Sequence, residues 1–139
     1  NSRCQQMLDC LIIGDSIAVG AHQFRPECAS YSKSGVTSLG WDRLFGSREL
    51  AAGTVIISLG TNDWAGADTY AKLREIREKI TGRRVFWIAP NEGTKPRAYK
   101  DVNLIAKLFG DTVITTERYQ KDRIHPSWAG YKELVEQTR

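Results

Sequence analysis

The chain has 139 residues, 41% hydrophobic and 26% charged, with a formal net charge of +4. Its length fits one domain spanning residues 1–139 with a real core, and no apolar run approaches the ~20 residues of a membrane span. The basic residues are scattered, with Arg83-Arg84 the only adjacent pair, so neither nucleic-acid binding nor membrane insertion is expected.

In chain order, residues 8–13 end in the apolar run Leu11-Ile12-Ile13 and stop at Gly14, the pattern of a strand buried on both faces. A helix after Ser16 would carry His22. Residues 28–32 give a weaker second strand. Thr37 or Ser38 caps a helix through Trp41, Leu44 and Phe45, with Trp41 in the core. The run 54–59 is a third strand, ending at Gly60. Asp68 precedes a helix with Tyr70, Leu73, Ile76, Arg77 and Ile80 in step, and Gly82 is expected to stop it. Residues 84–89 form a fourth strand, with Trp87 in the core. Residues 97–109 place Val102, Ile105, Ala106 and Phe109 on one helical face, and 112–115 form a short fifth strand. Ser127 caps a last helix containing Tyr131, Leu134 and Val135. This alternation predicts an α/β fold: a three-layer α/β/α sandwich, flavodoxin-like, with about five parallel strands.

Such a sheet gathers its sites at the carboxyl ends of the strands. Ser16 follows the first strand, Gly60-Thr61-Asn62-Asp63 the third, Pro90-Asn91 the fourth, and Asp122-Arg123-Ile124-His125 the fifth. These loops open on one edge. A serine, a histidine that can deprotonate it and a carboxylate that orients the histidine are the parts of acyl-transfer catalysis. The Asp-x-x-His spacing can set Asp122 beside His125 in one turn. Asp15 is a less suitable carboxylate and is read instead as ordering the nucleophile loop, with Asp63 bracing the loop around Asn62. His22 reads as structural or exposed. Gly14-Asp15-Ser16-Ile17-Ala18 lacks the final glycine of a G-x-S-x-G elbow.

Gly14-Asp15-Ser16, Gly35, Gly60-Thr61-Asn62-Asp63 and Asp122-Arg123-Ile124-His125-Pro126 resemble, in order, the sequence blocks of the SGNH (GDSL-type) hydrolases. The resemblance runs from residue 9 to about residue 131. It implies a flavodoxin-like sandwich and an activity among esterases, lipases, thioesterases and carbohydrate deacetylases, with no metal or other cofactor. It further implies Ser16 as nucleophile, His125 as general base and acid, and Asp122 as the residue holding the imidazole. The oxyanion hole would comprise the N–H groups of Ser16 and Gly35 and the side-chain amide of Asn62.

The chain is compact for that family and has no long apolar loop for a lid, which favours a shallow site and a short acyl group. Trp64 and Trp128 would flank the site and present aromatic faces to sugar rings, and Asn91 lies on the same edge as a candidate substrate contact. The expected substrate is therefore a small acyl ester or an acylated glycan, with acetyl the leading acyl group. A lipid ester or thioester hydrolase is the alternative within the enzyme class, and a non-catalytic glycan-binding module the alternative outside it. Cys4, Cys10 and Cys28 contain no CxxC pair, and either one disulfide or free thiols fit their spacing. The chain begins at Asn1, as a mature form, a processed product or an excised domain would. The compartment stays open, with secretion or the cell envelope favoured over the cytoplasm. Oligomeric state is not legible.

Overall fold

Each apolar run of the sequence becomes a strand, and each helical period the helix that covers it. The structure, a computed structural model, describes residues 8–139. The order is β1 (Leu8–Gly14), α1 (Ser16–Phe24), β2 (Ala29–Ser32), α2 (Ser38–Phe45), β3 (Ala51–Ser58), α3 (Thr69–Glu78), β4 (Thr81–Ile88), α4 (Pro96–Phe109), β5 (Thr112–Ile114) and α5 (Trp128–Glu136). The strands make one sheet ordered β2-β1-β3-β4-β5, with every pairing parallel.

Successive strand residues point to opposite faces, and two apolar clusters result. Leu11, Ile13, Val55, Ile57, Val85 and Trp87 pack under Trp41 of α2, Leu73 and Ile76 of α3, and Val102 and Ile105 of α4. On the other face, Cys10, Ile12, Ile56, Phe86 and Ile88 pack under Ile17, Ala18 and Ala21 of α1 and Tyr131, Leu134 and Val135 of α5. The result is the expected three-layer α/β/α sandwich. Trp41 and Trp87 are fully buried, as expected, and both indole N–H groups find acceptors: the Tyr31 carbonyl for Trp41 and the Asp111 carboxylate for Trp87. Asp111 also receives Arg77 in a two-point ion pair at 2.7 and 2.9 Å.

The helix caps follow the sequence closely. Thr37, Asp68 and Ser127 accept backbone N–H groups at the starts of α2, α3 and α5. One expectation is corrected. Gly82 does not stop α3: the helix ends at Glu78, and Gly82 is already in β4, paired with Ala52. Only Lys79 and Ile80 separate the two elements, so the chain must enter the sheet almost at once. In α2, Trp41 and Phe45 face the core and Leu44 is exposed.

The cysteines resolve into a Cys10–Cys28 disulfide, and Cys4 lies outside the described residues. The bond ties the middle of β1 to the connection entering β2, closing a loop that contains all of α1. The Cys28 carbonyl also accepts His22 Nε2 at 2.8 Å, which gives His22 the structural role expected of it. No helix among the described residues is long and apolar enough to cross a membrane.

A closed loop of this size restricts the unfolded chain by about 3 kcal/mol. The Cys10→Ala/Cys28→Ala variant is therefore expected to be less stable by about that amount in urea denaturation. An unchanged midpoint would show that the crosslink contributes nothing.

Candidate active site

The site forms where β1 and β3 lie side by side while their helices leave to opposite faces of the sheet, the place where an open α/β sheet leaves a crevice. Gly14 ends β1 with φ +139°, and a Cβ there would collide with the Ser58 carbonyl oxygen of β3. The missing side chain lets the two strand ends touch, and Asp15 N–H then donates to that same carbonyl at 3.0 Å.

Asp15 turns its side chain inward. It caps α1 by accepting Ile17 N–H at 3.0 Å and takes the Ser58 hydroxyl at 3.0 Å, both on Oδ1. Its Oδ2 is buried with no partner among the described residues. Burial pushes its pKa up to about 6, with the hydrogen bonds from Ser58 and Ile17 opposing the rise. The loop-ordering role expected from sequence is thus visible as a fixed cap. The next residue, Ser16, opens α1 with its N–H at the positive end of the helix.

The histidine arrives from the long loop after β5. His125 Nε2 lies 2.8 Å from Ser16 Oγ, a contact spanning 109 positions of sequence. Its Nδ1 lies 2.6 Å from Asp122 Oδ2. Asp122 Oδ1 accepts the backbone N–H groups of Ile124 and His125 at 2.9 and 3.0 Å. The His125 side chain, followed by these two N–H groups, holds the Asp122 carboxyl down at about 2. At neutral pH Asp122 is therefore a carboxylate, which can only accept. His125 Nδ1 must donate to it, leaving Nε2 free to accept the Ser16 hydroxyl in the neutral imidazole. The pair is open to solvent, with side chains 35% and 42% exposed.

Between these two residues sits Arg123, the one non-glycine residue with positive φ (59°) among the described residues. That conformation turns the chain so that Asp122 and His125 face each other, at a cost on the order of 1 kcal/mol. Asn91 Nδ2 and Thr94 Oγ1, both from the loop after β4, grip the Arg123 carbonyl at 2.7 and 3.0 Å. Asn91, a candidate substrate contact by sequence, spends its amide on holding this turn, and its Oδ1 on Gly93 N–H.

On the other side of Ser16, Gly35 is exposed, with φ +79° and open space where a Cβ would stand. Its N–H has no backbone acceptor among the described residues. Asn62 Nδ2 donates one proton to the Val36 carbonyl at 3.1 Å, which ties the loop after β3 to the Gly35 segment and leaves the second amide proton for another acceptor. Asp63 braces this arrangement as expected: it receives Ser38 N–H at 2.7 Å, the Ser38 hydroxyl at 2.5 Å and the Thr69 hydroxyl at 2.8 Å, joining the starts of α2 and α3. The two tryptophans are both largely exposed. Trp128 leans edge-on against Phe24, at the far end of α1 from Ser16, with Lys132 over its ring. Trp64 stays in the loop that carries Asn62.

Sequence reasoning missed Ser58, Thr94, Arg123 and Tyr131. Tyr131 is buried against Gly20 of α1, and its hydroxyl is pushed up to about 12 by burial and by the charges of Asp15 and Asp122. Only Tyr131 carried a signal, its place on the apolar face of α5.

No protein-family model and no curated protein matches the sequence. The fold, by contrast, is shared with solved structures. A candidate acylhydrolase from Bacteroides fragilis NCTC 9343 superposes with TM-score 0.64 and 16% identity, covering 92% of this chain and 84% of that one. The C-terminal catalytic domain of peptidoglycan O-acetyltransferase A from Streptococcus pneumoniae, solved with a methylsulfonyl adduct, superposes with TM-score 0.62 and 18% identity, covering 94% and 90%. At these identities the likeness establishes a shared fold.

Two predictions follow from the carboxylates. Asp15 has a folded pKa above its unfolded value, so folding takes up a proton between about pH 4 and pH 6 and stability falls as pH rises through that window. Asp15→Asn is expected to flatten that slope in denaturation curves recorded from pH 4 to pH 7; an unaltered slope would remove Asp15 as its source. Releasing the Arg123 carbonyl with Asn91→Ala and Thr94→Val should loosen the turn that supplies Asp122 with its donors. The Asp122 carboxyl pKa, followed by NMR, is then expected to climb from about 2 toward the usual carboxylate range, and a value that stays put would mean the grip is dispensable.

Proposed function

We propose that this protein is a serine esterase that removes a short acyl group, most simply acetyl, from a carbohydrate or cell-wall polymer through an acyl-enzyme. The observation that carries the reading is the continuous chain Ser16 Oγ–His125 Nε2–Asp122, with contacts of 2.8 and 2.6 Å across a sheet edge. The fold is shared with a candidate acylhydrolase and with a domain whose parent protein O-acetylates peptidoglycan, which supports acyl chemistry on a cell-wall polymer.

In this mechanism Ser16 Oγ attacks the ester carbonyl while His125 Nε2 accepts its proton, and Asp122 balances the imidazolium charge. The oxyanion is met by the N–H groups of Ser16 and Gly35 and by the amide proton of Asn62 that does not serve Val36. Collapse of the tetrahedral intermediate breaks the ester C–O bond, and His125 protonates the departing alkoxide. Water then attacks the acyl-enzyme, His125 taking its proton and returning it to Ser16 Oγ as the acyl C–O bond breaks, which frees the acid and restores the hydroxyl. The solvent exposure of His125 and Asp122 favours water as the acyl acceptor, since the site does not exclude it. The Cys10–Cys28 disulfide supports an oxidising setting, outside the cell or in its envelope.

Ser16→Ala is expected to lower turnover of p-nitrophenyl acetate by about 10³-fold or more, with the circular dichroism of the folded protein retained. Asn62→Ala should cost about 10²–10³-fold. Turnover unchanged by Ser16→Ala would sink the reading, and a preference for decanoyl over acetyl esters would move it to a lipid ester hydrolase. Failure of a fluorophosphonate probe to label Ser16 would leave a non-catalytic module.

A further inference from the structure

Beside the Asn62 loop lies a cavity of about 330 Å³ with no part in the mechanism above, bounded by Thr61 and Trp64 on one side and by Thr94, Lys95, Pro96 and Arg97 on the other. It is built between the loop after β3 and the first turn of α4. Arg97 closes one end by donating to the Ala65 carbonyl, which fixes the two walls relative to each other. Thr94 connects the cavity to the turn that carries His125, because its hydroxyl donates to the Arg123 carbonyl.

Trp64 is the unusual wall. It is 67% exposed, the indole resting against the backbone of Gly66 with no aromatic partner among the described residues. An indole left largely in water forfeits the burial that a ring of its size normally brings. A ligand with one apolar face and polar edges recovers that burial while its hydroxyls meet Lys95 and Arg97. The charge around the cavity decides which ligand. Arg97 and Lys100 lie close enough to influence Asp101, and so do Asp63 and Asp68. The wall itself holds Lys95 and Arg97 against Asp63, and Asp101, close enough to feel Arg97, supplies a second carboxylate, so the nearby charges balance in number and do not single out an anionic ligand. The volume is at the small end for ligand pockets and suits a compact ring more than an extended acyl chain.

We infer that this cavity is a carbohydrate subsite, holding an uncharged pyranose ring of the glycan adjacent to the esterified position, with the ring laid on Trp64. It rests on the esterase reading for its choice of substrate, yet it is testable without turnover. Only Asp63 separates Asn62 from Trp64, so a sugar stacked there would set the position of its neighbour's ester relative to Ser16.

The test uses the Ser16→Ala protein and a tetramer of β-1,4-linked N-acetylglucosamine, with binding followed by calorimetry and by tryptophan fluorescence. The tetramer is expected to bind and to perturb tryptophan emission. Adding Trp64→Ala should weaken binding on the order of tenfold, and Trp64→Phe should restore part of it. Denaturation midpoints matching the parent would confirm that these exposed substitutions leave the fold alone. No binding by the Ser16→Ala parent, or binding indifferent to Trp64→Ala, would overturn the subsite while leaving the esterase reading to stand on p-nitrophenyl acetate. Displacement of the tetramer by decanoate would also overturn it, assigning the cavity to an acyl chain.

Discussion

The contact between the ends of β1 and β3 is the constraint on which the rest of the site depends. Gly14 lets the Ser58 carbonyl come up against its Cα, and Asp15 N–H then closes on that carbonyl at 3.0 Å. This fixes the first residue of α1 to the centre of a five-stranded parallel sheet, which is buried on both faces. Ser16 is therefore anchored to the buried centre of the sheet, and the disulfide that encloses α1 adds a covalent restraint to the same segment. The histidine is held differently. It sits on a solvent-exposed loop, where rigidity has to come from local hydrogen bonds: two from Asn91 and Thr94 to the Arg123 carbonyl, and two from backbone N–H groups to Asp122.

That division decides which parts were legible in the sequence. Burial of a strand on both faces writes itself as an uninterrupted apolar run, so β1, β3 and β4 could be read from Leu11-Ile12-Ile13, 54–59 and 84–89, and the fold class with them. Caps are local chemistry, and Thr37, Asp68 and Ser127 were readable for that reason. Gly82 misled because a glycine after a helical period is ordinarily a stop, and here the strand begins first. Asn91 was correctly placed on the sheet edge, but the direction of its amide is set by the Arg123 carbonyl, a partner 32 positions away. The positive φ of Arg123 has no sequence signal at all, since nothing in an arginine announces a left-handed turn. The cysteines were undecidable because pairing depends on how close two Cα atoms come, which the fold alone supplies.

The two aspartates near Ser16 show how environment separates roles that composition leaves equal. Asp15 is adjacent to Ser16 in sequence, yet it faces the interior, gives its Oδ1 to Ile17 and Ser58, and is raised to about 6 by burial. Asp122 is far away in sequence, yet it faces His125, is surrounded by donors and is lowered to about 2. An orienting carboxylate has to stay ionised throughout the pH range in which an imidazole exchanges protons, and it has to be within reach of Nδ1. Asp122 meets both conditions. Asp15 meets neither: its own titration overlaps the histidine range, and its hydrogen bonds are already directed at the helix start and at β3. The carboxylate beside the serine in the chain thus builds the platform, and the distant one holds the histidine ring. This is the opposing displacement of carboxyl pKa values by which one fold keeps an ionised partner for a histidine at an exposed edge while a second carboxyl is buried beneath it.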